Sequence, residues 1–331
     1  MLRLPNFNYV KPRSLKEAAR VLADLGPEAM AVAGGTDVYP KMKRGQFTPG
    51  YLVSLRRLQE LRGIGPEGKR GMWIGAGETL TAVSQNSTVN KYFPALANGA
   101  ALVSTPQLRN MGTIGGNILV DTRCNYYDQT FFWRQAVGFC IKKDGQICLV
   151  APKSSKCLAI SSSDTAPVLS SLGAIASLVG PQGRRRVPFA ELYRDDGIDF
   201  MTKRGDEVLQ GIIIPRKAFG YRNIYLKLRR RGSFDFPVLG VAGTMGFGKD
   251  GTCLHARIVL TAVSSWPVVV DAAAQQLEGK KVTREAIEAA AEAAAKVSHP
   301  LDNADMEYWY RKRMTRVYVR RALASLSGIE T

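Results

Sequence analysis

The stretch Met30-Ala31-Val32-Ala33-Gly34-Gly35-Thr36-Asp37-Val38 runs a short apolar strand directly into a pair of glycines. Glycine tolerates tight turns and the close approach of another group to the backbone. Upstream, Ser14 and Glu17 have the spacing of a capping box. Leu15, Ala18, Ala19, Leu22 and Leu25 then recur at helical intervals until Gly26-Pro27 ends the run. Helix, strand and glycine turn in that order are the grammar of a mixed α and β fold. Downstream, Gly112-Thr113-Ile114-Gly115-Gly116-Asn117 makes a second glycine turn. Each pair has a hydroxyl neighbour, Thr36 or Thr113. Two such turns would bring main-chain amides against a pyrophosphate from both sides. On spacing alone, two tight turns without a ligand are the simpler reading.

The surrounding chain is that of a globular protein. Its 331 residues suggest two or three domains, and 45% hydrophobic with 22% charged residues is ordinary composition. No run of 18 apolar residues occurs, so no membrane-spanning helix is expected. Residues 1–14 show no apolar signal core, which reads as cytoplasmic. The charge is less ordinary: 46 Lys and Arg against 28 Asp and Glu give +18. An excess of that size suits an anionic partner, whether cofactor, acidic subunit, membrane surface or nucleic acid. The basic clusters at 184–186, 229–231 and 311–321 are dispersed and no nucleic-acid-reading motif accompanies them, so nucleic acid is set aside.

Further elements can be placed. Tyr51 to Leu55 and Met72 to Ala76 read as strands, 81–86 and 95–103 as helices, and 215–219 as a linker. Val238 to Thr244 and Ala256 to Val263 read as strands. An alanine-rich helix opens at Thr283, and a basic helix covers 308–325. Gly63, Gly65 and Gly68 match a dinucleotide-binding spacing, but Pro66 interrupts the turn and a strand follows it, where that motif needs a helix. Asp302, Asp305 and Glu307 read as acids at a helix N-terminus. No Ser/His/Asp arrangement is credible with two histidines, and no catalytic residue is assigned.

Cys124, Cys140, Cys148 and Cys157 crowd an aromatic-rich segment of little periodicity, while Cys253 stands apart and reads as a small apolar core residue. The spacing C-x15-C-x7-C-x8-C contains none of the close pairs that structural zinc favours. A cubane iron–sulfur cluster tolerates wide gaps. Four unconnected thiols remain the alternative on spacing alone.

Taken together, Ala33 to Asp37, Gln107 to Asn117, Asp164 to Pro167, Leu209 to Pro215 and Tyr310-Arg311 resemble the FAD-binding medium subunits of the xanthine dehydrogenase (molybdenum hydroxylase) family over nearly the whole chain. The resemblance implies an α+β fold. A two-part FAD-binding region of the vanillyl-alcohol-oxidase/molybdenum-hydroxylase flavoprotein type would occupy 1–55 and 56–217, followed by a C-terminal α+β domain at 218–331. It also implies site residues. Ala31, Val32, Ala33, Gly34, Gly35, Thr36, Asp37 and Val38, with Thr113, Ile114, Gly115, Gly116 and Asn117, would wrap the FAD pyrophosphate. Asp164 would hold the ribityl or pyrophosphate region, Val103 and Leu209 would line the flavin, and Lys227 would approach it.

One departure stands out. Asn117 and Asp164 are 47 positions apart, where most members have a short connection, and the extra residues carry the four cysteines. This insertion, at about 120–158 and opening with Asp121-Thr122-Arg123-Cys124, is similar to that of 4-hydroxybenzoyl-CoA reductase β subunits. The similarity implies a [4Fe-4S] cluster on Cys124, Cys140, Cys148 and Cys157. It further implies a large molybdenum-cofactor subunit, a small [2Fe-2S] subunit, a dimer of heterotrimers and a role in aromatic degradation. Ferredoxin would supply electrons, which would travel through [4Fe-4S] and FAD to [2Fe-2S] and molybdenum. An aldehyde oxidoreductase or other aryl or purine hydroxylase flavoprotein is the alternative, and a zinc-stabilised adaptor the non-redox one. Because the glycine motifs lie outside the insertion, FAD is expected to survive loss of a cysteine.

Overall fold

Three sheets follow one another along the chain in a computed structural model that describes residues 2–330. The first is parallel and small, with strand order β1-β3-β2 from β1 (Asn8–Val10), β2 (Ala29–Val32) and β3 (Tyr51–Ser54). Between β1 and β2 lies helix α1 (Leu15–Leu25), whose Ser14 cap accepts from the Glu17 amide as the capping box requires. The glycine turn leads from β2 into α2 (Val38–Lys43). Only Val32, Met42 and Leu52 form a buried core on the α2 side, whereas Leu15, Ala18 and Leu22 of α1 belong to the main core of the molecule.

The second sheet is antiparallel, in order β4-β5-β8-β6-β7. Its strands are β4 (Ile64–Pro66), β5 (Gly71–Gly75), β6 (Ile175–Gly180), β7 (Gly183–Pro188) and β8 (Val208–Pro215). β4 and β5 form a hairpin at the discarded glycine spacing, joined by a single 3-10 turn at Gly68–Arg70, with no α-helix there to meet a pyrophosphate. Short helices connect β5 to β6: α3 (Leu80–Gln85), α4 (Ser87–Tyr92), α5 (Pro94–Ala101), α6 (Pro106–Arg109), α7 (Ile114–Ile118), α8 (Phe131–Ala136) and α9 (Ala166–Ser171). The Arg184, Arg185 and Arg186 cluster turns out to be the edge strand β7, with Arg185 paired to Glu207 at 2.6 Å. Charged side chains on an edge discourage pairing with another chain.

The third sheet runs β12-β11-β10-β9, from β9 (Arg222–Leu228), β10 (Leu239–Phe247), β11 (Cys253–Thr261) and β12 (Val268–Val269). After α10 (Asp271–Ala274), helices α11 (Arg284–Val297) and α12 (Tyr308–Ser327) bury Ile287, Ala290, Ala294, Val319 and Leu323 in a second core. Thr283 caps α11, and Cys253 is fully buried in this core. Arg311 is fully buried too, and its guanidinium donates to the carbonyls of Val238, Leu301 and Ala262. Burial lowers its pKa to about 10, which leaves it charged at neutral pH. No helix among the described residues is long and apolar enough to cross a membrane.

Candidate functional site

The two glycine turns meet. A Cβ on Gly34 would collide with the Met111 carbonyl, so the first turn packs backbone to backbone against the second. Gly35 has φ +73°, the left-handed region, and a side chain there would strike the Tyr39 ring. Among the described residues, the amides of Gly34, Gly35, Thr36 and Asp37 have no hydrogen-bond partner. Successive unspent N–H groups on one turn form a concavity suited to an anion.

The second turn differs. Thr113 caps α7 by accepting from the Gly116 amide at 3.0 Å, while the Ile114 and Gly115 amides donate to Glu78 and Ala76 carbonyls. Its first helical turn therefore has no spare donors. Gly116 leaves room, with Thr113 Oγ1, at 3.2 Å, the only atom close to where its Cβ would stand. Asn117 spends its side-chain oxygen on Ser163 Oγ (2.9 Å), the Thr165 amide (3.1 Å) and Thr165 Oγ1 (2.7 Å). It pins the turn that carries Asp164.

Asp164 is buried. It accepts from Tyr225 Oη at 2.7 Å and Lys227 Nζ at 2.8 Å. Burial pushes its carboxyl up from the usual range, against the opposing pull of Lys227 and Tyr225. Lys227 also donates to the Leu102 carbonyl (3.0 Å) and the Asp235 carbonyl (2.9 Å), so all three ammonium protons are engaged. It anchors the exposed 229–236 loop and the turn beside Val103 rather than presenting a free ammonium. Leu209 lies in β8 within the main core, where it pairs with Leu178.

The four cysteines of the insertion converge. Cys124, Cys140, Cys148 and Cys157 are all buried and line one cavity with Tyr126, Tyr127, Ile141, Lys142, Leu149, Val150 and Ala159. It holds about 250 Å³ of atom-free space, part of it open to solvent. Three local devices place the thiols. The Asp128 carboxylate accepts from the Cys124 amide at 3.0 Å. A turn with Asp144 at φ +68° brings Lys143 and Gly145 amides onto the Cys140 carbonyl. The Gly197 amide donates to the Cys157 carbonyl at 2.8 Å. Burial pushes the Cys124 thiol up to about 12, against the Tyr126 and Tyr127 amides facing it, and the Cys157 thiol up to about 11. Among the described residues, no three His, Cys, Asp or Glu side chains are gathered as they would be round a single metal ion.

Sequence reasoning missed the salt-bridge network beside the cavity. Asp121 accepts from Lys41 Nζ at 2.7 Å and Lys142 Nζ at 2.8 Å. Both ammonium groups also lie against the Tyr127 ring, 4.6 and 4.8 Å from its centre. Burial works to raise the Asp121 carboxyl, but the two lysines together hold it below the usual carboxylate range. Asp121 stood in the quoted motif, yet nothing local marked Lys41 as its partner.

Fold and site together define a flavoprotein. Residues 5–217 match the family described as the FAD binding domain in molybdopterin dehydrogenase, and residues 223–326 match the CO dehydrogenase flavoprotein C-terminal domain. The carbon monoxide dehydrogenase medium chain of Hydrogenophaga pseudoflava is 31% identical over 321 residues, 96% of each chain. The FAD-binding subunit PaoB of an Escherichia coli (strain K12) aldehyde oxidoreductase is 29% identical over 281 residues, 82% of this chain and 86% of that one. In structure, a chain of reconstituted CO dehydrogenase from Oligotropha carboxidovorans superposes with a TM-score of 0.81 at 28% identity, over 99% of this chain and 100% of that one. The chain belongs to the family of FAD-binding medium subunits of molybdenum hydroxylases, and it is an oxidoreductase subunit.

Proposed function

We propose that this chain holds FAD against its two glycine turns and a [4Fe-4S] cluster on Cys124, Cys140, Cys148 and Cys157. It would then serve as the electron-transfer subunit of a molybdenum enzyme of the 4-hydroxybenzoyl-CoA reductase type. The observation that carries the reading is the convergence of four buried thiols on one cavity lined otherwise by apolar and aromatic groups and the Lys142 side chain. Soft thiolates select iron–sulfur clusters or zinc, and the spacing C-x15-C-x7-C-x8-C lacks the close pairs that structural zinc favours. Neutral buried thiols must release protons when a metal centre binds, so assembly favours higher pH.

For FAD, the unspent amides at 34–37 fit a pyrophosphate, and the room at Gly116 fits its approach. Bound there, FAD exchanges one or two electrons, which suits a relay from a one-electron donor. This chain's residues supply the rest. The amides bind the phosphates, Asn117 positions the Asp164 turn, and Lys227 fixes the 229–236 loop. Residues 1–55 and 56–217 would form the two FAD-binding subdomains and 218–331 the C-terminal domain.

A large molybdenum-cofactor subunit and a small [2Fe-2S] subunit would complete the cytoplasmic enzyme as a dimer of heterotrimers, with ferredoxin as donor. The dehydroxylation takes two electrons and two protons and releases water. The opening Asp121-Thr122-Arg123-Cys124 supports this substrate. The match to the aldehyde oxidoreductase subunit supports an aldehyde instead. Assay of the complex separates them, with 4-hydroxybenzoyl-CoA under a reduced viologen in one arm and an aromatic aldehyde under an oxidising dye in the other. Iron, acid-labile sulfide and flavin analysis of the purified chain tests both cofactors. Iron without zinc is expected, and zinc alone would overturn the cluster.

A further inference from the structure

The sequence separates the glycine motifs from the cysteine insertion, but the structure ties them together at Arg123. This residue precedes Cys124, and its backbone exchanges hydrogen bonds with Ile160 at 2.9 and 2.8 Å. Its guanidinium forms an ion pair with Asp37, the last residue of the unspent-amide turn, and pairs with Asp128 at 3.1 Å. Asp128 in turn receives the Cys124 amide. On its face the guanidinium carries the Phe236 ring, with the ring centre 3.8 Å from the guanidinium carbon. Its Nε is buried without a partner. Asp37 stands at the N-cap of α2 yet makes no capping bond, so its carboxylate serves Arg123 and not the helix. One planar fork thus meets the glycine turn, the cysteine segment and the 229–236 loop, a geometry that a lysine cannot reproduce.

Other ties run in parallel. Lys41 of α2 is bound to Asp121, Gln46 donates to the Tyr127 carbonyl at 2.9 Å, and Arg134 donates to the Gly45 carbonyl at 2.9 Å. With three buried apolar residues beneath it, α2 rests on the insertion as much as on its own sheet.

We propose that Arg123 is a positioning residue that couples the state of the thiol cavity to FAD binding. The inference rests on the cofactor reading above. A filled cavity fixes Cys124, the adjacent Arg123 is then fixed in register with Asp37, and the 34–37 amides are held in one arrangement. An empty cavity frees the segment, and the turn must be ordered at the expense of FAD affinity. Coupling of this kind is reciprocal, so FAD stabilises the filled cavity to the same extent.

The test uses the full chain and FAD itself, titrated by flavin fluorescence. FAD affinity is measured for the chain as isolated, after iron removal by oxidation and chelation, and for Cys148→Ser, a site remote from Arg123 in sequence. Emptying the cavity by either route is expected to weaken FAD by about tenfold, within the usual range of coupling between sites. In an Arg123→Ala background, FAD binding is weak at the outset and Cys148→Ser weakens it by less than about twofold, because the tie that meets the 34–37 turn itself is cut and the parallel ties reach only α2 and the residues after it. Arg123→Gln, which keeps much of the side-chain bulk, is expected to behave in the same way if the alanine variant folds poorly. Two results overturn the coupling: FAD affinity indifferent to the cavity, or a full tenfold loss persisting without Arg123. A chain free of iron and zinc overturns the cofactor reading and the coupling with it, whereas a chain that holds iron and gives either of those two results overturns the coupling alone.

Discussion

The glycine turn at 34–37 and the thiol cavity hold their groups by opposite means. The first offers main-chain amides, so its positions are those where a side chain must be missing. The second offers side chains spread from Cys124 to Cys157, on a stretch whose only regular helix is six residues long. A backbone site announces itself locally, because glycines and a capping threonine are its parts. A thiol site is assembled by the fold, and its sequence spacing excludes arrangements without drawing one. The two also differ in support, since the turn follows a strand while the insertion is held by ion pairs and by the group we assign to it.

That contrast breaks most completely at the cysteines. Cys140→Ser or Cys148→Ser replaces a soft ligand by a hard one and is expected to leave essentially no iron, while Cys253→Ser, in the separate C-terminal core, keeps it all. Metal and sulfide analysis reads the difference, and an equal dependence on Cys253 would dissolve the distinction. Asp121→Asn comes next. It removes the carboxylate shared by two buried ammonium groups, leaving Lys41 with Asp128 at 3.5 Å and Lys142 with the Thr122 hydroxyl and Gly197 carbonyl, and should cost about 3 kcal/mol at neutral pH, read by urea unfolding. The folded-state pKa of Asp121 is depressed, so its contribution is present above the ordinary carboxylate range and lost as pH falls through the folded value. The two chains should therefore converge in strong acid, and an undiminished gap there would mean that the ion pairs are not the cause.

Gly34→Ala and Gly116→Ala sharpen the comparison within the cradle itself. The first forces apart two backbones and should cost about 1–3 kcal/mol of stability. The second meets only Thr113 Oγ1 and should leave the melting temperature nearly unchanged while reducing FAD affinity. Unchanged affinity would remove the second turn from the cradle. The smallest effect is electrostatic. With a net charge of +18, association with the large and small subunits is expected to weaken as salt rises, since exposed charges are screened over about 10 Å at 0.1 M. Binding indifferent to salt would point to apolar docking.

Much of this architecture was legible where causes are local. The Ser14 and Thr283 caps, the strand into Gly34-Gly35 and the helix at 308–325 all stand where their patterns placed them, within a few residues. What stayed hidden depends on distant partners. Arg184 to Arg186 looked like a solvated charge cluster and forms an edge strand paired with β6, with Arg185 bound to Glu207 just before β8. Nothing near Lys227 in sequence showed that three oxygens from three separate segments would claim its protons. The amides at 114–116 seemed available until their acceptors, set by the turn after β5, came into view. Arg123 was quoted in a motif with no sign that Asp37 would answer it.

The three-residue core under α2 has a consequence in time. Segments with little buried apolar surface open at a lower free energy than the molecule as a whole. Val32, Met42 and Leu52 close one side of the first sheet, and β2 lies at its edge, whereas β10 sits inside its sheet under two packed helices. In deuterated water the amides of Ala31 and Val32 are therefore expected to exchange well before those of Val241 and Ala242. The first sheet would then open and close many times within the lifetime of the folded chain, taking the 34–37 turn with it.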